Sequence, residues 1–105
     1  MRSTAPKLVT SASFVRKIKA AAAEVFAVKV AEIEGRSRKA AHRNARWAAM
    51  LVLFEETVPS LAWLGRAFNR DHSTVIHALQ EMPHRMERDP GLAAKVEEVR
   101  RRVEG

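Results

Sequence analysis

The chain has 105 residues, with 19 Lys and Arg against 12 Asp and Glu, a formal net charge of +7 and no cysteine. This length fits one domain with a modest core, and the missing cysteines exclude disulfides and thiolate metal sites. The longest apolar run, residues 47–54, is too short to cross a bilayer and no signal peptide is evident, so we expect a soluble cytoplasmic protein without a membrane partner.

The N-terminal third predicts one helix between less regular segments. Residues 1–10 are expected to form a flexible basic arm, and residues 11–105 a single domain. A helix should begin at Ser11 or Ser13, because apolar side chains then recur on one face, at Phe14, Ile18, Ala22 and Val25. Residues 28–34 alternate apolar and charged side chains, which could mean a strand. In so helical a chain we favour a short connection or a single helical turn.

A basic block and a central helix come next. Residues 35–54 contain no acidic residue and five basic ones, which are Arg36, Arg38, Lys39, Arg43 and Arg46. Such a block is typical of a surface that contacts phosphates and the minor groove, although a solvated surface without a partner would have the same composition. Residues 35–38 should be a basic loop. A long helix should follow from about Lys39 to Glu56 and end there, because Pro59 cannot continue it. Its second half is apolar on nearly every side, which is typical of a buried central helix.

Two helices joined by a tight turn are predicted after Pro59. Ser60 caps a short helix that ends near Phe68, and residues 69–70 are too few for anything but a tight turn. The next helix begins in a run of polar residues, where Asp71 or Ser73 can cap its first turn. This is the plan of a helix-turn-helix whose second helix reads DNA, unless that helix is only a well-capped surface helix.

The C-terminal part predicts the end of the reading helix and one further helix. Pro83 should kink or end the reading helix. Asp89 and Pro90 are a favourable start for the last helix, as cap and first residue. The buried stripe of that helix should be Leu92, Val96, Val99 and Val103. The predicted fold is all-α, with five to six helices around the central helix.

Residues 64–78, LGRAFNRDHSTVIHA, resemble the signature of the C-terminal DNA-binding domain (domain IV) of the bacterial replication initiator DnaA. The resemblance can be followed from about Phe14 to Val103 and is densest between Arg36 and Ala78. It implies a Trp repressor-like helix-turn-helix domain that binds double-stranded DNA sequence-specifically, at a DnaA-box-like site. It also implies a monomer that needs no cofactor and associates with the nucleoid.

The resemblance assigns roles to single residues as well. Arg38 stands where the family places an arginine in the minor groove, with Arg36 nearby, and Arg46 stands where an arginine binds phosphate. Four residues match those that meet bases and backbone in the major groove: Asp71, His72, Ser73 and Thr74. Asp71 could also be a plain N-cap, and His77 either contacts the DNA backbone or is an inert surface histidine. The predicted DNA-binding set is completed by Lys39, Arg43 and Arg70.

Three positions depart from the family pattern. Trp47 replaces the usual Gln, Phe54 replaces a basic residue, and Glu81 replaces a Lys or Arg. Each change removes a phosphate partner, so a thinner set of DNA contacts is predicted. If Trp47 and Phe54 are exposed, they could form an apolar patch for a protein partner. The alternative is that both pack in the core, which we favour for Phe54.

The chain has no Gly-x-x-x-x-Gly-Lys-Ser/Thr loop, so the ATPase of full-length DnaA is not expected, and the chain is either a stand-alone DnaA-related protein or an excised domain. We expect it to act in or regulate replication initiation. The alternatives are a module that acts through contacts with replication-initiation proteins without strong DNA binding, or a transcriptional regulator. A catalytic or metal site is not expected. His72 and His77 are not four residues apart, and adjacent helical residues cannot form a proton relay.

Overall fold

A computed structural model of the chain describes residues 12–57 and 59–104. In these residues the chain forms six α-helices and no strand, which confirms the predicted all-α fold. The helices are α1 (Ala12–Phe26), α2 (Val30–Glu34), α3 (Ala40–Glu56), α4 (Leu61–Phe68), α5 (His72–Arg88) and α6 (Pro90–Glu104). The arm predicted for residues 1–10 lies outside the described residues.

Helix α3 is the centre of the fold and contacts each of the other five helices. Its side chains are buried on every side over most of its length, and three of the fully buried ones are alanines, at positions 45, 48 and 49. Small side chains let neighbouring helices approach closely, so α3 can be surrounded rather than covered on one face. The prediction of a central buried helix is confirmed.

The N-terminal elements settle the question of residues 28–34. α1 buries Ile18 and Ala22 completely, with Phe14 and Val25 packed at the edge of the core. After a turn at Ala27, which has a φ of 56°, residues 30–34 form the short helix α2 rather than a strand. The side chain of Ile33 is fully buried, whereas its charged neighbours Glu32 and Glu34 are partly or largely exposed.

Of the two outcomes expected at Pro83, a kink or an end of the helix, helix α5 contradicts the second. The helix does not end there but continues for five more residues to Arg88. Met82 is fully buried and Met86 packs against the core, so α5 is held on both sides of the proline. Pro83 itself is exposed. It lacks the N–H that would bond to the carbonyl of Leu79, one turn earlier in the helix. Packing thus outweighs one lost hydrogen bond.

The two aromatic departures on α3 lie in different surroundings. Trp47 is only 7% exposed, whereas Phe54 is 43% exposed, so our preference for Phe54 as a core residue was wrong. Phe54 and Glu55 are exposed in the last turn of α3, directly after the buried residues 45–53. The two rings therefore do not form one shared apolar patch.

The last helix follows the predicted pattern. α6 begins at Pro90, and the backbone N–H of Leu92 donates to Asp89 Oδ1 at 3.1 Å. Its buried residues are Leu92, Val96, Val99 and Val103, as expected. Within the described residues, none of the six helices is long and apolar enough to cross a membrane.

Candidate nucleic-acid interface

Helices α4 and α5 are joined by the tight turn that the sequence predicts. Ser60 caps α4, its Oγ accepting from the backbone N–H of Trp63 at 3.0 Å. Asn69 ends α4 in the left-handed conformation, with φ of 61°, and the Arg70 N–H donates to the Gly65 carbonyl at 2.8 Å. A Cβ on Gly65 would clash with the Arg70 carbonyl oxygen. Gly65 therefore permits the close approach of the second helix to the first, a role that sequence reasoning missed.

The N-terminus of α5 presents the residues that were predicted to read bases. Asp71 is the N-cap, and its Oδ1 accepts from the backbone N–H of Thr74 and from the hydroxyl of Ser73, both at 2.9 Å. The Thr74 N–H, and after it the hydroxyl groups of Ser73 and Thr74, hold the pKa of the Asp71 carboxyl below its usual value. Asp71, His72 and Ser73 are exposed and Thr74 is half-buried. This end of α5 is thus both capped and open to solvent.

Arg46 fastens the basic loop to the central helix. Its guanidinium donates to backbone carbonyls, from Nε to Ile33 at 2.6 Å and from Nη2 to Glu32, Gly35 and Ser37 at 2.9, 3.3 and 3.3 Å. The side chain is buried, and burial, followed by the charge of Arg70, lowers the pKa of Arg46 to about 10. This structural role has no signature in the sequence, because its acceptors are main-chain groups. The phosphate contact predicted for Arg46 stays a prediction.

Arg70 holds the same loop from the opposite side. Its Nη2 donates to the Gly35 carbonyl, the acceptor that Arg46 also uses, while its Nη1 donates to the carbonyl of Asn69 at 3.1 Å. Lys19, a buried lysine that sequence reasoning did not identify, adds a link from α1. Its Nζ donates to Glu34 Oε2 at 2.6 Å and to the Ala67 carbonyl at 2.5 Å. The basic loop and the helix-turn-helix are therefore connected directly.

A concave pocket of about 550 Å³ lies between the basic loop, α3 and the start of α5. No carboxylate is among its lining residues, which are Arg36, Ser37, Arg38, Arg43, Arg46, Trp47, Arg70 and Thr74. All five predicted arginines are thus brought together, with Thr74 of the reading helix. Lys39, His72, Ser73 and His77 are exposed and do not line it. Such a concentration of positive charge favours an anion. No group of His, Asp or Glu side chains in residues 12–57 and 59–104 could hold a metal ion.

Trp47 is surrounded by cationic and aromatic groups from α3 and α5. The His77 ring meets it edge to face, with centroids 5.5 Å apart and an interplanar angle of 81°. The guanidinium carbons of Arg43 and Arg85 lie 5.6 and 5.2 Å from the indole centroid. Glu81 lies 3.8 Å from both Arg85 Nε and Arg88 Nη2, so its charge is shared between two arginines. Arg85 was not among the predicted site residues.

Comparison with known proteins matches residues 15–82 to the family described as the bacterial DnaA protein helix-turn-helix. The chain is 31% identical over 91 residues to the chromosomal replication initiator protein DnaA of Caldanaerobacter subterraneus subsp. tengcongensis, covering 87% of this chain and 20% of that protein. It is 34% identical over 99 residues to DnaA of Symbiobacterium thermophilum, covering 93% of this chain and 21% of that protein. With DnaA of Desulfotalea psychrophila the identity is 41% over 71 residues, 68% of this chain and 15% of that protein. The chain thus spans about a fifth of the length of these relatives.

Proposed function

The chain belongs to the bacterial DnaA helix-turn-helix family, and on this premise we propose that it binds double-stranded DNA sequence-specifically, at a DnaA-box-like site. In this proposal it acts in the bacterial cytoplasm, at the nucleoid, as a monomer that takes part in or regulates replication initiation. The observation that carries the proposal is the pocket of five arginines without a carboxylate, placed directly beside the capped N-terminus of α5.

In the proposed complex the two sides of this surface have different tasks. The N-terminus of α5 enters the major groove, where His72 and Thr74 can pack on thymine methyl groups and Asp71 can accept from an exocyclic amino group. Exposed Arg36 and Arg38 on the basic loop reach the adjoining minor groove and its phosphates. The helix dipole and the first N–H groups of α5 add attraction for a backbone phosphate.

Arg46 and Arg70 support this arrangement by holding the loop. Most of their N–H groups donate to backbone carbonyls of residues 32–37 and 68–69. Their main role in the proposal is therefore to position Arg36 and Arg38 relative to α5. Their charges still add to the field of the pocket, since the acceptors are neutral.

A second candidate is a module that acts on replication-initiation proteins through protein contacts, without strong DNA binding. The observation that favours it is Phe54, which is 43% exposed on α3 at a position where the family resemblance expects a basic residue. An exposed aromatic ring is a frequent anchor at protein interfaces. In this case the basic loop would be used little or not at all on DNA.

A titration of labelled duplex separates the two candidates. We expect the protein to bind a duplex with a DnaA-type box more tightly than a scrambled duplex of the same length and composition. If about four to six phosphates are neutralised, log affinity should fall against log salt with a slope of about −4 to −5. A flat salt response, or no binding at low salt, would refute DNA binding and favour the protein-contact module.

A further inference from the structure

Two guanidinium groups, from Arg43 on α3 and Arg85 on α5, share the indole ring of Trp47. Their central carbons lie 5.6 and 5.2 Å from the ring centroid. Packing against an aromatic ring fixes the plane of a guanidinium but leaves its in-plane N–H groups free to donate. Both guanidinium groups therefore lie against one ring that is itself only 7% exposed.

The positive charges of this pair are only partly neutralised, by one carboxylate that is shared with Arg88. The Nε atoms of Arg43 and Arg85 are buried and have no hydrogen-bond acceptor. Glu81 approaches Arg85 Nε only to 3.8 Å, too far for a hydrogen bond, and Arg43 donates to the neutral amide of Asn44 at 3.4 Å. Burial, and then the charge of Arg85, lower the pKa of Arg43. Two cations held close together in this way gain from an anion that both can bind.

The pair lies next to the surface proposed for DNA. Arg43 and Trp47 line the five-arginine pocket. On α5, Ser73, His77, Glu81 and Arg85 recur every four residues, so they form one stripe along the helix, and its second member touches Trp47. Arg85 is about 18 Å along the helix from Ser73, at the 1.5 Å rise per residue of an α-helix. The pair therefore lies beyond the residues proposed to read bases.

We propose that Arg43 and Arg85, supported by Trp47, form a phosphate-binding site, and that the phosphate it takes is a DNA backbone phosphate outside the bases read by α5. That the bound phosphate belongs to DNA rests on the proposed function, whereas the affinity of the site for phosphate does not. The site stands where the family resemblance expects a Gln at position 47 and a basic residue at position 81. Glu81 replaces this basic residue, and Arg85, one turn later on the same helix face, places a positive charge nearby.

Salt dependence tests the site in the DNA complex. Arg43→Ala and Arg85→Ala should each weaken binding about tenfold at low salt and reduce the salt slope by about 1, for matched and scrambled duplex alike. The double variant should lose no more slope than either single one, because both arginines hold the same phosphate. Arg101→Ala, an exposed α6 arginine paired with Glu98, is the control and should change neither value. Wild-type slopes in both single variants would overturn the proposal.

A second measurement does not require DNA binding. The chain has two tryptophans, so Trp63→Phe leaves Trp47 as the only fluorescent indole. Inorganic tripolyphosphate, titrated in a phosphate-free buffer, should change this fluorescence, and the change should be absent when Arg43 or Arg85 is also replaced by Ala. A response to tripolyphosphate in a protein that binds no duplex would support the phosphate site while refuting the proposed function. No response in a protein that binds duplex with a normal slope would overturn the site.

Discussion

At the scale of single residues, Asp71 joins the stability of α5 to the chemistry proposed for it. The carboxylate caps the helix through the Thr74 N–H, and it stands in solvent beside His72 at the end proposed to enter the major groove. Its hydrogen bonds lower its pKa in the folded protein. A group whose pKa is lowered by folding stabilises the fold above its unfolded pKa, and this contribution is lost as the pH falls through the folded pKa. At neutral pH Asp71 is thus a charged cap.

Asp71→Asn separates capping from reading, because Asn caps a helix as well as Asp but is neutral and presents a different hydrogen-bond pattern. We expect the melting temperature at pH 7 to stay nearly constant, while the preference for matched over mismatched duplex falls about tenfold. Below about pH 4 the melting temperature of the wild type should fall relative to that of the variant. Thermal melts and duplex titrations check both.

Two further variants control for this result. His72→Ala and Thr74→Ala should reduce discrimination in the same way with little effect on melting, since neither change removes the Asp71 carboxylate or the Thr74 N–H. Full discrimination in all three variants, with normal DNA affinity, would show that these residues do not read bases.

At the scale of the helices, the sequence pattern was most informative where one helix face packs against the core. α6 shows this best, because burying one face leaves apolar residues at helical spacing and the Asp89 cap marks the start. Pro83 shows where prediction from the sequence pattern fails. A proline in a helix predicts a break from local geometry alone, whereas Met82 and Met86 hold the helix together through contacts with distant residues. The preference for Phe54 as a core residue was wrong for a similar reason, since the sequence does not show which side chains of an apolar run the other helices cover.

Pro83→Ala should stabilise the protein, because it restores the N–H that bonds to the Leu79 carbonyl. We expect the free energy of unfolding to rise by about 1–3 kcal/mol, the helix gain being partly offset by a more flexible unfolded chain. Chemical denaturation measures this. Pro90→Ala is the matched control, since Pro90 is the first residue of α6, where its missing N–H has no helical partner. This control should be neutral or slightly destabilising. An unchanged or lower stability in Pro83→Ala would mean that the proline fits α5 without cost.

At the scale of the whole molecule, a small network connects the basic loop to the helix-turn-helix. Arg46 reaches the loop from α3, Arg70 reaches it from the turn before α5, and Lys19 ties Glu34 to the Ala67 carbonyl. The sequence predicted the basic block but not this network, because its acceptors are mostly backbone carbonyls that only folding brings together. The sequence therefore predicts a set of interface residues, but it does not show which of them position the others.

Arg46→Ala and Arg38→Ala should differ in a way that reflects these two roles. Loss of Arg46 leaves several carbonyls unpaired, so we expect it to lower the free energy of unfolding by about 2–4 kcal/mol and to weaken binding to matched and scrambled duplex alike. Arg38 is exposed on the loop, and its loss should leave melting unchanged but reduce the preference for A·T-rich flanks. A wild-type melting temperature in Arg46→Ala would contradict the structural role given to that residue.

The Gly35 carbonyl, which accepts from both Arg46 and Arg70, has a consequence for the choice of binding site. It links the loop to α3 and to the turn before α5, so in the proposed complex we expect the two groove contacts to move together along the duplex. Each base pair rotates the duplex by about 35°, given 10–10.5 base pairs per turn. A site whose A·T-rich flank is shifted by one base pair would turn its minor groove away from Arg36 and Arg38. The protein would thus select sites by the spacing of these features as well as by the identity of the bases.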